Sequence, residues 1–302
     1  MKIVVIGLGQ CGGRIADEFA RLNKRAQSQR GIEIVTGCFA VNTDAADLSG
    51  LSSIKNDHRH RIIIGGRKTQ GHGVGKINEL GAEIAREDSD KIVDAIRTTK
   101  RFFETDAFLL IAGSAGGTGS GAISVVTQFL KERYIDKPIY NLIVLPFEHE
   151  ESTEERTVFN VATCLKSCYS VADAVFLVDN QRYVRKDSSI QTNLSKINNM
   201  IAEPFYNLLC AGEEKKSKFI GAKLIDAGDI QHGRQEVDQG HGRVYRAARL
   251  PLVRKTQDQG DARRPLVKSP FLHHALFAEH VTVIAAENHH RIVQFSALLD
   301  GA

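Results

Sequence analysis

The sequence lacks several features that would place it in other classes of protein. Nowhere in its 302 residues do about 18 apolar residues follow one another, so no membrane-spanning helix is predicted. The amino end passes into a strand-like run without a signal-peptide pattern, and the five cysteines are an odd number without framework spacing. A net charge of +4 gives no general argument for nucleic-acid binding. We therefore expect a cytoplasmic protein with no nucleic-acid partner and no transmembrane segment, for which any contact with membranes would be made through other proteins.

The rest of the composition is that of a globular protein. Hydrophobic residues make up 42% of the chain and charged residues 25%. The length is sufficient for two ordinary domains or for one large domain with an ample core.

One glycine-rich stretch, Gly113–Gly121, organises the rest of the chain. It follows the apolar run 107–112 and precedes a helix-like segment at 122–133. A strand, a glycine-rich turn and a helix start together direct backbone N–H groups and partial positive charge toward one point, which predicts phosphate binding. A flexible linker is the alternative, but linkers are rarely held between a buried strand and an amphipathic helix. The Gly-Lys-[Ser/Thr] of the Walker A loop is absent, which excludes only that class of NTPase.

Strands and helical patterns alternate through the first two thirds of the chain. This order predicts an α/β fold, with a Rossmann-like, mainly parallel sheet covered by helices on both faces. Besides the strand before Gly113, the predicted strands are 2–6, 32–41, 61–64, 138–145 and 174–178. A long helix is predicted at 189–209, and Pro204 inside it is expected to kink or break it.

A second glycine motif, Gly7-x-Gly9-x-x-Gly12, follows the first strand and matches the dinucleotide-binding fingerprint. With Asp44 as the acidic ribose ligand after the second strand, it supports an NAD-dependent oxidoreductase as one alternative. That fold does not need a second glycine-rich loop after a later strand, nor a third at Gly71–Gly75. Three such loops indicate one phosphate chain held from several strand ends at the carboxyl edge of a sheet.

Four segments in order resemble the loops of the tubulin/FtsZ superfamily. Ala115-Gly-Gly-Thr-Gly-Ser-Gly121 resembles its signature loop, with Ala115 where many members have glycine. Gly9-Gln-Cys-Gly12 looks like the first tubulin loop, while Ala40-Val-Asn-Thr-Asp44 and Gly71-His-Gly-Val-Gly75 look like the second and third FtsZ loops. This mixture is most similar to the archaeal CetZ group. The resemblance covers roughly residues 1–230 and implies a GTPase fold followed by a long central helix.

The resemblance implies a site for GTP or GDP with Mg²⁺. The residues that would form it are Gly9, Gln10, Cys11, Gly12, Asn42, Asp44, Gly73, Val74, Gly75, Gly113, Ala115, Gly116, Gly117, Thr118, Gly119, Ser120, Glu151, Arg156, Asn180 and Asn198.

Most of these residues would hold phosphate. Gly9–Gly12 would line the phosphates and the nucleotide edge, Gly116–Ser120 would cradle the α- and β-phosphates, and Gly73–Gly75 would approach the γ-phosphate. Asn42 and Asp44 would lie nearby and reach Mg²⁺ through water, so no residue is assigned as a direct metal ligand.

Two asparagines match the guanine-reading positions of the family. Asn180 follows the strand ending at Val178, and Asn198 lies on the long helix. An amide offers both a donor and an acceptor to a base edge that carries both. Asp179, beside Asn180, is alternatively a helix cap.

The acidic run after the strand at 138–145 looks like the ribose-contacting loop of the family, although its length does not match cleanly. Glu151 and Arg156 are the candidates, with Glu150 close behind. Acidic residues before a helix are equally expected because they interact favourably with its N-terminus.

Two acids after the long helix, Asp226 and Asp229, are the predicted catalytic residues. In the family this loop acts on the nucleotide of the next subunit, where carboxylates orient and polarise the attacking water. The resemblance therefore implies head-to-tail self-association into filaments and assembly-dependent GTP hydrolysis. Leu224 stands where FtsZ has an asparagine, so slow hydrolysis is expected.

The predicted domains are a GTP-binding domain at 1–188, a central helix and connection at 189–218, and a C-terminal segment at 219–302. The last carries the catalytic loop and then a truncated or divergent α+β second domain, because the resemblance ends near residue 231. Residues 231–268 lack apolar periodicity and are typical of loop or disorder, as a frameshift or truncation would produce. Seven of the eleven histidines lie beyond residue 230, so a weak anionic-surface patch is another interpretation.

These features favour a GTP-hydrolysing cytoskeletal protein that acts in cell shape or division. The alternative is a nucleotide-binding protein that no longer polymerises because its C-terminal domain is incomplete.

Overall fold

A computed structural model describes residues 1–99, 101–183 and 190–210, together with two short strands at 281–284 and 292–295. Within these ranges the chain alternates strands and helices.

A parallel sheet forms the centre of the fold. Its strands are β1 (Ile3–Leu8), β2 (Val35–Asn42), β3 (Arg61–Ile63), β4 (Ala107–Gly113), β5 (Ile139–Leu145) and β6 (Ala174–Asp179). They lie in the order β3-β2-β1-β4-β5-β6, and all five pairings are parallel. Two further strands, β7 (Val281–Ile284) and β8 (Ile292–Phe295), follow β6 in antiparallel pairings. The predicted mainly parallel α/β fold is confirmed.

Nine helices are described in these parts of the chain. They are α1 (Gly9–Arg30), α2 (Ala45–Ser49), α3 (Gly66–Thr69), α4 (Asn78–Glu87), α5 (Ser89–Arg97), α6 (Thr118–Arg133), α7 (Glu148–Thr153), α8 (Arg156–Val171) and α9 (Ile190–Cys210). Short 3₁₀ turns lie at Phe102–Glu104 and Asn180–Tyr183.

The sheet buries both of its faces, because successive strand residues point to opposite sides. On β1, Ile3 and Val5 pack with α1 and α9, whereas Val4 and Ile6 pack with α4, α5, α6 and α8. The fully buried strands explain the near-continuous apolar runs in the sequence.

Helix α9 is fixed to α1 by aromatic and polar contacts. The ring of Phe19 makes edge contacts with Phe205 and Tyr206 at centroid distances of 6.2 and 6.4 Å. The Tyr206 hydroxyl donates to Asn23 Oδ1 over 3.1 Å, and that oxygen also accepts from the Val35 amide. This packing holds α9 along the sheet.

The helices differ from the sequence-based expectations at two places. The chain is helical from Ile190 to Cys210 with Pro204 inside, so the expected break at Pro204 is wrong, whereas a kink there stays a prediction. Helix α6 begins at Thr118, four residues before the predicted start at 122, so its first turn lies within the glycine-rich stretch.

Candidate functional site

A cavity of about 410 Å³ lies at the carboxyl edge of the sheet, where β1 and β4 lie side by side and the strand order reverses. Such a reversal is the usual ligand-binding position in open α/β sheets. The lining residues come from the loops after β1, β2, β4, β5 and β6, from the segment before α4, and from α9. They are Leu8, Gly9, Gln10, Cys11, Arg14, Asn42, Asp44, Asp47, Gly73, Val74, Lys76, Gly113, Ala115, Gly116, Gly117, Thr118, Gly119, Val144, Leu145, Pro146, Phe147, His149, Glu150, Asn180, Leu194 and Asn198.

The middle of the cavity is formed by the N-termini of α1 and α6. Neither helix has a side-chain cap or an acidic residue in its first turn, so backbone N–H groups and partial positive charge face an uncapped end. Gly9 has φ of +70°, and a Cβ on it would lie 2.8 Å from the amide nitrogen of Gly119. The two helix ends therefore meet through backbone, which suits an anion.

The glycine-rich loop after β4 has one crowded glycine and one open glycine. A Cβ on Gly117 would lie 2.6 Å from Val74 Cγ2 and 2.9 Å from the amide nitrogen of Ile77. A Cβ on the neighbouring Gly116 would meet no atom of the described residues within 4 Å. Gly117 thus packs against the segment before α4, whereas Gly116 leaves space beside the cavity.

Asp47 joins the loops after β1 and β2. Its carboxylate accepts from Gln10 Nε2 over 2.6 Å and from Asn42 Nδ2 over 3.0 Å. Asp44 begins α2 as its N-cap, because its Oδ1 accepts from the amides of Ala46 and Asp47. The carboxylate oxygens of Asp44 and Asp47 therefore lie together at this rim of the cavity.

The segment from Gly71 to Lys76 is tied to the loop after β2. The Gly73 amide donates to the Thr43 carbonyl over 3.2 Å, and the Ala45 amide donates to the Gly71 carbonyl over 3.0 Å. Behind them, the Thr43 hydroxyl lies 2.6 Å from the Thr118 hydroxyl. The loops after β2 and β4 and the segment before α4 therefore form one connected wall.

Different chemistry lines the opposite end of the cavity. The rings of Phe147 and His149 stack at 5.5 Å, and Leu194 and Asn198 project from α9. Asn180 is buried, and its Oδ1 has no hydrogen-bond partner among the described residues. A buried amide oxygen without a partner is costly unless a ligand supplies a donor.

Cys11 supplies a thiol to the cavity. Part of its surface stays accessible, but desolvation by burial, with a smaller contribution from Glu150, raises the pKa of the thiol to about 12. The sulfur is therefore a neutral wall of the cavity at physiological pH.

Most of the residues expected to contact a nucleotide lie together in this cavity. The ones that line it are Gly9, Gln10, Cys11, Asn42, Asp44, Gly73, Val74, Gly113, Ala115, Gly116, Gly117, Thr118, Gly119, Asn180 and Asn198. The remaining five, Gly12, Gly75, Ser120, Glu151 and Arg156, are not among the lining residues.

Three of these five make contacts elsewhere. Gly12 lets α1 approach β4, since a Cβ there would lie 2.0 Å from the Ile111 carbonyl oxygen. Ser120 donates its hydroxyl to the Gly116 carbonyl. Arg156 forms an ion pair with Glu79.

The acidic run after β5 forms its own helix, α7, with Glu148, Glu150 and Glu151 in the first turn. Glu150 lines the cavity, while Glu151 is exposed outside the lining. The alternative expectation, acidic residues at a helix N-terminus, is met here. Asp179 likewise accepts from the Gln181 amide at the start of a 3₁₀ turn.

Several lining residues were missed by sequence reasoning. Lys76 directly follows the Gly71–Gly75 motif, and this adjacency could have identified it. Arg14, Asp47, Phe147 and His149 also line the cavity, without a comparable sequence signal. The predicted catalytic acids Asp226 and Asp229 lie outside the described residues.

The fold and cavity are those of the phosphate-binding α/β proteins. A family model described as the Tubulin/FtsZ family, GTPase domain, matches residues 2–186. The chain belongs to the tubulin/FtsZ family.

Curated relatives include the tubulin-like protein CetZ1 of Haloferax volcanii, which is 36% identical over 230 residues. The alignment covers 76% of this chain and 55% of that relative. The tubulin-like protein CetZ of Pyrococcus abyssi is 30% identical over 231 residues, covering 76% of this chain and 57% of the relative. The chain thus spans a little over half the length of these relatives.

Solved structures of CetZ proteins are also similar to this chain. CetZ1 from Haloferax volcanii, described as a GDP-bound monomer, has a TM-score of 0.64 at 33% identity and covers 77% of this chain and 63% of that one. CetZ2 from the same organism, described as a GTPγS-bound protofilament, has a TM-score of 0.63 at 33% identity, covering 72% and 61%. The predicted similarity to the CetZ group is confirmed.

None of the described helices is long and apolar enough to cross a membrane. Nor do the described residues contain a cluster of three or more histidine, cysteine, aspartate or glutamate side chains able to hold a metal ion.

Proposed function

We propose that this chain binds GTP and GDP in the cavity at the carboxyl edge and hydrolyses GTP as a subunit of a head-to-tail filament. One observation carries the proposal: one cavity has two helix N-termini without side-chain caps in its middle and, at one end, the amide oxygen Asn180 Oδ1, which has no partner in the described part of the chain. The first feature suits phosphates and the second suits a base.

The dimensions of the site agree with a nucleotide. The lining loops follow β2, β1, β4, β5 and β6, and four inter-strand steps of about 4.8 Å place the outer loops about 19 Å apart. The volume of about 410 Å³ is within the usual range for ligand cavities. A free phosphate ion would occupy only part of this length.

The amides at one end support guanine as the base. Asn180 Oδ1 can accept from the N–H groups of a guanine edge, while a side-chain amide nitrogen can donate to its carbonyl oxygen. Asn198 faces the same cavity from α9. The GDP and GTPγS in the related CetZ structures give this assignment independent support.

The rim after β2 suits Mg²⁺. Asn42, Asp44 and Asp47 provide amide and carboxylate oxygens beside the phosphate loops, and Mg²⁺ takes oxygen ligands from carboxylates, water and substrate phosphates. When bound, the ion would neutralise charge that develops on the β- and γ-phosphates. Asp47 is already oriented by Gln10 and Asn42 and would hold the coordinating waters.

Hydrolysis is assigned to Asp226 and Asp229 of a neighbouring copy. The two acids of the rim, Asp44 and Asp47, are engaged in capping α2 and in hydrogen bonds with Gln10 and Asn42. Carboxylates that orient water supply much of phosphoryl-transfer catalysis. A head-to-tail contact between copies continues into a filament when its rotation does not close. We propose cell shape or division in the cytoplasm as the process served.

The first test is the identity of any nucleotide that co-purifies, read by mass after denaturation. Titration with GTPγS, GDP and NADH then separates the candidates. Guanine-nucleotide binding without NADH binding is expected. Tight NADH binding without affinity for GDP or GTPγS would support the oxidoreductase alternative and reject this proposal.

The second test addresses shared catalysis. GTP turnover per subunit should rise with protein concentration, and Asp229→Ala should bind GTP without turning it over. Turnover that is independent of concentration would contradict hydrolysis between copies. Sedimentation with GTP and Mg²⁺ distinguishes the non-polymerising alternative, which predicts nucleotide binding without pelletable polymer.

A further inference from the structure

A buried asparagine outside the cavity joins two segments of its wall. Asn160 lies on α8 with no accessible surface. Its Nδ2 donates to the Lys76 carbonyl over 2.9 Å and to the Ala115 carbonyl over 2.9 Å, with the Gly116 carbonyl at 3.4 Å. A side-chain amide nitrogen has two hydrogens, so these contacts use its full donor capacity.

The orientation of this amide follows from its surroundings. Nδ2 faces carbonyl oxygens, and the reversed orientation would place Asn160 Oδ1 against them. Oδ1 itself has no partner among the described residues, although it is buried. A buried amide oxygen without a partner lowers stability, so the two hydrogen bonds from Nδ2 come at an energetic cost.

The two carbonyls belong to different segments of the connected wall of the cavity. Ala115 and Gly116 are in the glycine-rich loop after β4, and Lys76 ends the segment containing Gly73 and Val74. That segment is also held by the Gly73 amide bond to Thr43 at its beginning. Asn160 fixes its far end at the Lys76 carbonyl, where the chain is also attached by a hydrogen bond from Asn78 to Thr163 and by an exposed ion pair between Lys76 and Glu154. Exposed ion pairs contribute little rigidity.

We propose that Asn160 is a positioning residue that sets the preference of the site for a nucleoside triphosphate over a diphosphate. It acts by fixing the carbonyls of Lys76 and Ala115 at one separation. The inference rests on the proposed function and on the placement that the family resemblance implies, in which Gly73–Gly75 approach the γ-phosphate and Gly116–Ser120 hold the α- and β-phosphates that GDP also has. Loss of the Asn160 amide would therefore loosen the segment that ends at Lys76 more than the glycine-rich loop after β4.

The test compares GTPγS with GDP on Asn160→Asp and Asn160→Ala. The first variant keeps the shape of the side chain but places an oxygen where Nδ2 donated. The second variant removes the amide without adding a repulsive atom. If Asn160→Asp does not fold, the test is made on Asn160→Ala. Affinity is measured by competition with a fluorescent guanine nucleotide. We expect the affinity for GTPγS to fall about tenfold more than the affinity for GDP. A difference of this size corresponds to the loss of one to two hydrogen bonds that position the Lys76 segment.

Thr127→Val is the matched control. Thr127 is equally buried on α6, and its hydroxyl donates to Asn141 over 2.9 Å away from the cavity. It should lose comparable stability in urea without nucleotide, while its ratio of GTPγS to GDP affinity remains that of the wild type. If the ratio of GTPγS to GDP affinity is unchanged in the Asn160 variants, or falls equally in Thr127→Val, the proposed role of Asn160 is wrong. The proposed function would be unaffected by that result. Wild-type protein that binds neither nucleotide would overturn the proposed function as well.

Discussion

The hydroxyl oxygens of Thr43 and Thr118 lie 2.6 Å apart, and both side chains are buried. Thr43 follows β2, and Thr118 is the first residue of α6 after β4. This bond joins two loops that are 75 residues apart in the chain and fixes one corner of the cavity.

We expect Thr43→Val to loosen that corner. The variant keeps the shape of the side chain but removes one hydroxyl, leaving the Thr118 hydroxyl without this partner, at a cost of about 1 kcal/mol of unfolding free energy. GDP affinity should fall several-fold, measured by fluorescent-nucleotide titration alongside urea unfolding. Thr43→Ser retains the hydroxyl and should restore affinity. If Thr43→Ser binds as weakly as Thr43→Val, the hydroxyl bond is not the cause.

The neighbouring glycines Gly116 and Gly117 should respond differently to alanine. In Gly117→Ala the new methyl group would lie 2.6 Å from Val74 Cγ2, so we expect overpacking to cost about 1–3 kcal/mol. In Gly116→Ala the methyl group enters open space, and the unfolding free energy should change by less than about 0.5 kcal/mol. Urea unfolding without nucleotide measures both values. Equal losses in the two variants would show that the crowding at Gly117 is relieved at little cost.

Cys11 should react slowly with iodoacetamide. Burial raises its thiol pKa to about 12, so at pH 8 the thiolate fraction is roughly a thousandfold below that of an ordinary cysteine. Mass spectrometry of the Cys11 peptide gives the rate, with Cys11→Ser confirming the assignment. GDP should slow modification further, because Cys11 lines the cavity. Rapid modification at neutral pH that GDP does not change would contradict both the desolvation and the placement.

An ion-pair cluster at the amino edge of the sheet should make the free energy of unfolding depend on pH. Hydrogen bonds from Arg101 and then Lys2 hold the pKa of Glu104 at about 2, below its ordinary 4.5. A lowered folded-state pKa contributes stability above pH 4.5 that is lost as the pH falls toward 2.

Glu104→Gln should therefore be less stable than the wild type at pH 7, and the difference should vanish near pH 2. Urea midpoints across this pH range measure it. Glu132→Gln is the control, because Glu132 is an exposed carboxylate on α6 that accepts from Gln128. A Glu104→Gln deficit that persists at pH 2 would mean that packing, and not charge, is responsible.

The sheet and the cavity position were predictable from local patterns. The run at β4 is apolar throughout because the strand is buried on both faces. The loops that follow β1 and β4 could be recognised in the sequence from their glycines, Gly9 and Gly113–Gly121. Since parallel strands end at one edge, loops found separately in the sequence could be placed together.

The start of α6 was not predictable from those patterns. Glycine disfavours helices, yet here the first turn packs against α4 so closely that side chains are excluded. A Cβ on Gly121 would lie 2.0 Å from the Asn78 carbonyl oxygen, and one on Gly81 would lie 2.4 Å from the Gly117 carbonyl oxygen. Tertiary packing therefore overrides propensity at this turn.

Residues that act across long sequence separations were also missed. Asp47 contacts Gln10 over a separation of 37 residues, and Asn160 contacts Lys76 over 84. Neither has a neighbouring motif, since a carboxylate in a short helix and an asparagine in a long one are ordinary. Only the folded arrangement gives them a role.

The pairing of β1 with β4 has a consequence for the order of events during synthesis. Ile3 pairs with Ala107, so the first strand cannot complete its place in the sheet until more than a third of the chain has been made. Such distant pairings fold slowly, because a large loop must close before the contact is gained. At about 5–20 residues per second, the ribosome needs roughly ten seconds or more to reach α9, the last described wall of the cavity. A ligand of this cavity would therefore bind late, after the six parallel strands β1–β6 have been made, and would not serve as a nucleus for folding.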